Sequence, residues 1–264
     1  MIVLILVIFG LALGSFINAL VWRLKTKRNW VSERSVCPHC KHVLAAKDLI
    51  PVVSWLTLGG KCRYCKKPIS AQYPAIELLT TVLFVCSYLF WPYTLMTVAG
   101  VAALVVWLLC LIILVALLVY DLKWMLLPNS LVAVLTVFAV VFTILRAASS
   151  DGVVGLVQSF VSGITFFAIF WTLFTVSKGK WIGGGDVKLA LPLGLLAGGI
   201  AEVFLIIFLA SLIGTLYILP SLVRGKVKVK TKLPFGPLLI IATVVVVLFG
   251  GPVINWYLHS FLYL

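Results

Sequence analysis

Acidic side chains are nearly missing from this chain. Asp and Glu together number seven against 21 Lys and Arg, and charged residues of all kinds make up 11% of the sequence. So little charge, with 63% hydrophobic residues and a mean hydropathy of +1.22, excludes a soluble domain wrapped around one core and puts the chain among multi-spanning membrane proteins. No basic region precedes the first apolar run, which therefore reads as a retained helix rather than a cleaved signal, although Leu13-Gly14-Ser15 offers small residues where cleavage could occur. No inverted pair of sequence halves with interrupted helices is visible, which counts against a transporter.

What is present is a series of apolar runs, each near the 17 to 25 or so residues that cross a bilayer. They extend approximately over 2–21, 75–91, 98–120, 129–145, 153–176, 187–200, 203–223 and 235–257. The expectation is an all-α polytopic membrane protein of about eight transmembrane helices. Its parts are a first helix over 1–22, a cytoplasmic insert over 23–74 and a core of about seven helices over 75–264. The run at 187–200 is short and contains Pro192, Gly194, Gly198 and Gly199. Charge placement tests the count, because basic loops stay in the cytoplasm. With the N-terminus outside and eight crossings, 20 of the 21 Lys and Arg fall on the cytoplasmic side, and Arg146 alone lies opposite. The net charge of +14 then reads as a surface facing anionic lipid rather than nucleic acid.

The insert is too small for a self-sufficient core. It carries Cys37-Pro-His-Cys40 and Cys62-Arg-Tyr-Cys65, the spacing of a zinc ribbon in which each pair gives two thiolates to a tetrahedral ion. Disulfides, rare in the reducing cytoplasm, and a redox pair remain alternatives. Four thiolates would fill the site, leaving His39 and His42 at the surface. Cys86 and Cys110 lie within apolar runs and read as small buried hydrophobes.

Of the seven acids, Asp121 and Asp186 stand at the ends of long apolar runs, and the topology puts both at the cytoplasmic face. An ionisable group in or beside a bilayer is a functional hypothesis by default. Asp121 lies in Tyr120-Asp121-Leu122-Lys123, shortly before Leu127-Pro128-Asn129, and Asp186 closes Gly183-Gly184-Gly185-Asp186, ahead of Lys188. The three glycines would let an extended peptide approach closely. Alone, Asp186 could simply N-cap the sixth helix. Paired with Asp121 it could share a proton, one member activating water while the other polarises a peptide carbonyl, the chemistry of an aspartyl protease. A transporter or scaffold using the same acids for proton coupling is the alternative. Glu33 and Asp48 fall in the insert, Asp151 and Glu202 in outer loops, and Glu77 at a helix start where the dipole favours it.

These residues resemble the type IV prepilin peptidases, bacterial GxGD-type membrane aspartyl proteases. The resemblance runs over nearly the whole chain. It rests on Gly14-Ser15-Phe16-Ile17-Asn18 with Arg23, the two cysteine pairs, 69–74 with Glu77-Leu78-Leu79, Tyr120-Asp121-Leu122, Gly183-Gly184-Gly185-Asp186-Val187-Lys188 and Pro234-Phe235-Gly236-Pro237. It implies that Asp121 and Asp186 cleave the basic leader of a prepilin or pseudopilin after a glycine, at the cytoplasmic face of the bacterial inner membrane. It also implies N-methylation of the new terminus with S-adenosylmethionine, an activity tied to the insert and to Gly60 and Lys61. Ser35 and Val36 precede Cys37, and the nearest upstream acid is Glu33. No Gly-rich nucleotide loop marks a methyl-donor pocket independently.

Overall fold

A computed structural model describes residues 1–29, 34–223 and 234–261. Glu33 and the basic run between Arg224 and Lys232 lie outside the described residues. Within them the helices are α1 (Ile2–Lys25), α2 (Val53–Thr57), α3 (Gln72–Leu89), α4 (Val98–Trp124), α5 (Asn129–Arg146), α6 (Gly152–Ser177), α7 (Gly184–Ala197), α8 (Ile200–Val223) and α9 (Gly236–Phe261), with a 3-10 turn at Ala46–Asp48 and a π turn at Ala147–Asp151. No strand forms among the described residues. Apolar runs of this length become helices because hydrocarbon offers backbone N–H and C=O groups no partner outside the segment.

Six helical runs among the described residues are long and apolar enough to cross a membrane: Ile2–Lys25, Gln72–Leu89, Val98–Trp124, Asn129–Ser177, Ile200–Pro220 and Gly236–Ser260. The fourth contains both α5 and α6. Thr143 Oγ1 donates to Leu195 O at 3.3 Å and Lys188 Nζ to Asn129 Oδ1 at 3.0 Å, so α5 runs in the direction of α7. Ser162 Oγ donates to Gly194 O at 2.7 Å, while Phe174 lies beside Gly184, so α6 runs against it. The π turn and Gly152, at φ +60°, therefore fold this run back on itself. The helix expected at 187–200 forms three residues earlier, over 14 residues, and is too short to count by length. It needs no lipid face: Val187, Leu189, Ala190 and 192–197 are all buried.

The chain forms two compact units, 1–89 and 90–264. In the first, α1 and α3 touch backbone to backbone. A Cβ on Gly14 would lie 2.5 Å from Glu77 Cα, and one on Gly10 2.6 Å from Thr81 Cα. Asn18, buried one turn further on, donates to Gly14 O (3.3 Å) and Tyr73 O (3.2 Å) and accepts from Gln72 Nε2 (3.3 Å), tying the end of α1 to the start of α3. Close approach of this kind is how helices gain packing energy where no hydrophobic driving force exists.

In the second unit, the lone basic residue expected on the outer side is buried. Arg146 is 3% exposed, with Nε 2.7 Å from Asp151 Oδ2. It donates to Ser159 Oγ (2.5 Å) and Tyr93 O–H (3.2 Å) and lies over the Tyr93 and Phe142 rings. Asp151, expected in a loop, is thus the counter-ion that makes this burial tolerable.

Replacing Gly14 by Leu should overpack the α1–α3 contact and cost about 1–3 kcal/mol. Thermal unfolding of the purified protein should shift down, whereas Ile5→Leu on the exposed face of α1 should leave it unchanged.

Candidate functional site

Helix α4 opens on Thr97, whose hydroxyl accepts from Gly100 N at 3.0 Å, and is buried without a break from Cys110 to Asp121, which is 5% exposed. It stops just beyond. Met125 takes a left-handed conformation (φ 51°, ψ 42°) and its N–H returns to Asp121 O at 2.8 Å, so Asp121 sits in the last turn. Pro128 then precedes α5 with its φ of −61°. Asp186 stands in the first turn of α7, where Gly183 is the N-cap and receives the Asp186 N–H at 3.1 Å. The N-cap reading of Asp186 is thereby replaced, although its charge still favours the helix N-terminus. A Cβ on Gly185 would sit 3.1 Å from Leu127 Cδ1, so Gly185 packs on the α4–α5 connection.

The two aspartates converge at Gly236, the first residue of α9. A Cβ built there would lie 2.5 Å from Asp121 Oδ2 and 3.3 Å from Asp186 Oδ1. The two oxygens are therefore no farther apart than those distances combined, and any side chain at 236 would intrude between the acids. Phe235, stacked on Phe170 with centroids 6.3 Å apart, fixes the approach of this segment. In the sequence Gly236 is one of the four residues of Pro234-Phe235-Gly236-Pro237. Its role as the spacer over both acids is visible only in three dimensions. Lys188 is exposed, and its Nζ donates to Asn129 Oδ1.

The four insert cysteines also converge. Cys37, Cys40, Cys62 and Cys65 sulfurs all lie within 4.8 Å of one another, with Cys37 Sγ to Cys65 Sγ at 3.9 Å, and all are free thiols. Each pair sits on a knuckle of the same design. Cys37 N–H donates to His42 O and Lys41 N–H returns to Cys37 O (3.0 and 2.9 Å); Cys62 N–H donates to Lys67 O and Lys66 N–H returns to Cys62 O (2.9 and 3.0 Å). Lys41 and Lys66 occupy equivalent left-handed positions, both at φ 59°. The donor set is suited to a tetrahedral metal ion. Burial by itself raises the Cys37 thiol, but hydrogen bonds from the Cys40 and His39 backbone and from neighbouring thiols bring it down to about 7. His39 and His42 are exposed, and His42 stacks on Tyr64 with centroids 3.7 Å apart.

Asp48 joins the connection between the knuckles to the second of them. It accepts from Arg63 Nε at 2.6 Å and Tyr64 O–H at 2.9 Å. The Arg63 hydrogen bond holds its carboxyl below the usual range against the opposing pull of burial, with Tyr64 assisting. Gly60 has φ +68°, and a Cβ there would press on the Trp55 ring at 3.0 Å. Its glycine is required by the turn and by the indole covering it. Lys61 is exposed beside it.

Two family models match the chain: the Bacterial Peptidase A24 N-terminal domain over residues 8–91 and the Type IV leader peptidase family over residues 108–219. A prepilin leader peptidase/N-methyltransferase of Aeromonas hydrophila is 32% identical, over 97% of this chain and 93% of that protein. The chain belongs to the type IV leader peptidase family. Proteins of the same name from Bacillus subtilis (31% identical, 96% of this chain, 97% of that protein) and Pseudomonas aeruginosa (32%, 97%, 93%) are similar along their whole length. No solved structure matches. The transporter or scaffold alternative gains no support from these matches.

Cys37→Ser and Cys62→Ser, one on each knuckle, should both reduce bound metal to background by elemental analysis; full metal content in either would overturn a shared site. Asp48 contributes through a lowered pKa, so its stabilisation is present above the usual carboxylate pKa of about 3.9 and is lost as pH falls through the lowered value. The stability gap between the native protein and Asp48→Asn should accordingly be full near neutrality and narrow as pH falls below the usual carboxylate range, as read by denaturant unfolding at each pH.

Proposed function

We propose that Asp121 and Asp186 are the catalytic pair of an aspartyl endopeptidase that removes the basic leader of prepilins or pseudopilins, cutting after a glycine at the cytoplasmic face of the bacterial inner membrane. The observation that carries this reading is the approach of both carboxylates to one point over Gly236. Two carboxyl groups so close share a proton. The ionised one takes a proton from water as the water attacks the scissile carbonyl carbon. The protonated one donates to the carbonyl oxygen; as the C–N bond breaks, the proton gained from water passes to the leaving amine and a hydroxyl of the tetrahedral intermediate returns a proton to the carboxylate that had donated. Gly183, Gly184 and Gly185 give the peptide backbone room beside Asp186, with Lys188 at the rim of this active-site loop. The family and the names of its relatives support prepilin processing.

The same reading assigns the Cys37, Cys40, Cys62 and Cys65 site to a structural zinc ion in a cytoplasmic insert. The N-terminus is outside, and α7 is counted with the longer helices to give eight crossings. The domains are then 1–22, 23–74 and 75–264. It also assigns N-methylation of the newly exposed residue, on the strength of the relatives' names, with S-adenosylmethionine supplying the methyl group. Gly60 and Lys61 are the positions associated with it. Gly60 also has a structural demand on it, its φ of +68° and the Trp55 ring above it.

In membranes carrying a prepilin, Asp121→Asn and Asp186→Asn should each abolish leader removal, a loss of at least about 10³-fold for a catalytic group. Normal processing by either variant would refute the pair.

A further inference from the structure

The segment between the two knuckles has a composition that the rest of the insert lacks. Over 49–58 it reads Leu-Ile-Pro-Val-Val-Ser-Trp-Leu-Thr-Leu, without a charge, and it coils into the short helix α2. Val53 and Leu56 lie within α2 and are 52% and 63% exposed, and Leu49 and Ile50, just ahead of it, are 39% and 49% exposed. Trp55 points the other way, its Nε1 donating to Ile69 O at 3.1 Å. The segment thus packs Trp55 against the second knuckle and leaves four large aliphatic side chains substantially exposed among the described residues.

Its depth is set by one hydrogen bond. Val52 N–H donates to Glu77 Oε2 at 2.7 Å, and Glu77 is 5% exposed in the second turn of α3, a helix apolar and long enough to span. To make that bond Val52 is held at φ 60°, a conformation that β-branched residues avoid. The aliphatic face is therefore fastened level with the first turns of a spanning helix, whose Leu78 and Leu79, next in sequence to Glu77, are themselves exposed. The surrounding charge is one-sided. Over 34–71 the insert has seven Lys and Arg and a single acid, Asp48, which Arg63 already occupies.

We propose that Leu49, Ile50, Val53 and Leu56 are a membrane-dipping foot of the insert, seated at the boundary of headgroups and acyl chains in the leaflet where α1 ends and α3 begins, with Lys47 and Lys61, the exposed lysines on either side of the segment, on anionic headgroups. An apolar face rimmed by basic residues is the pattern of an interfacial anchor. The basic rim and the continuity with a lipid-facing helix favour lipid over a second protein chain. This holds whichever way the chain is oriented and whether or not Asp121 and Asp186 cleave peptides.

The test uses the full chain in vesicles of phosphatidylethanolamine and phosphatidylglycerol, with a photo-reactive benzoylphenylalanine at position 53, 56 or, as control, 41 in the exposed turn of the first knuckle. Retained metal content identifies variants that keep the insert folded, and positions 53 and 56 report independently. Irradiation should give phospholipid-mass adducts at 53 and 56 and none at 41. Exchange of phosphatidylglycerol for phosphatidylcholine should lower their yield. Adducts to a second copy of the chain, no lipid adduct at 53 and 56, or equal adducts at 41 would overturn the foot. Equal yields in both lipid mixtures would overturn the preference for anionic headgroups.

Discussion

A carboxylate at the end of a long apolar helix must be reached by water or by another polar group, and the larger unit meets that demand by bringing helix ends together. Just beyond Asp121, α4 terminates at the left-handed Met125. Asp186 lies in the first turn of α7, α5 begins after Pro128, and α9 begins at Gly236 beside both acids. Helix termini are where backbone groups already lack intrahelical partners, so polar chemistry concentrates there at the least cost. The absent side chain of Gly236 completes the arrangement, because the acids can face one another only if nothing projects from α9 between them.

The smaller unit solves a different problem. A short polar insert cannot fold on apolar burial alone, and two matched knuckles supply four sulfurs to one point. Their backbone bonds are nearly superimposable in pattern, down to the left-handed lysine after each pair. Asp48 and Glu77 then attach the intervening segment at its two ends, one to the second knuckle and one to α3.

Much of this was legible in the sequence. Asp121 and Asp186 stood out because charge is conspicuous against apolar runs, and the cysteines because ligand spacing is a local property. Asp121 in a last turn follows from the turn residues behind it. What escaped notice depends on closeness between distant segments. Nothing in the string pairs Arg146 with Asp151 and Ser159, since the positive-inside pattern counts a charge without saying what it touches. The run at 187–200 has the composition of a crossing, but Gly198, at φ +89°, ends its helix early. The glycine motif suggested a cap at Asp186, whereas the cap is Gly183. Lysines dominate the average composition of the insert, and that Leu49, Ile50, Val53 and Leu56 stay exposed is a property of the fold rather than of the string.

The brevity of α7 has a further consequence. Its 14 residues extend about 21 Å at the usual helical rise, from the acids at its start to the buried guanidinium of Arg146 near its end. The hydrocarbon layer is about 30 Å thick. Polar groups at both termini of so short a helix cannot both stand at the surfaces of a layer that thick, so at least one end must be served by protein partners rather than by bulk water, as Asp151 and Ser159 serve the guanidinium of Arg146.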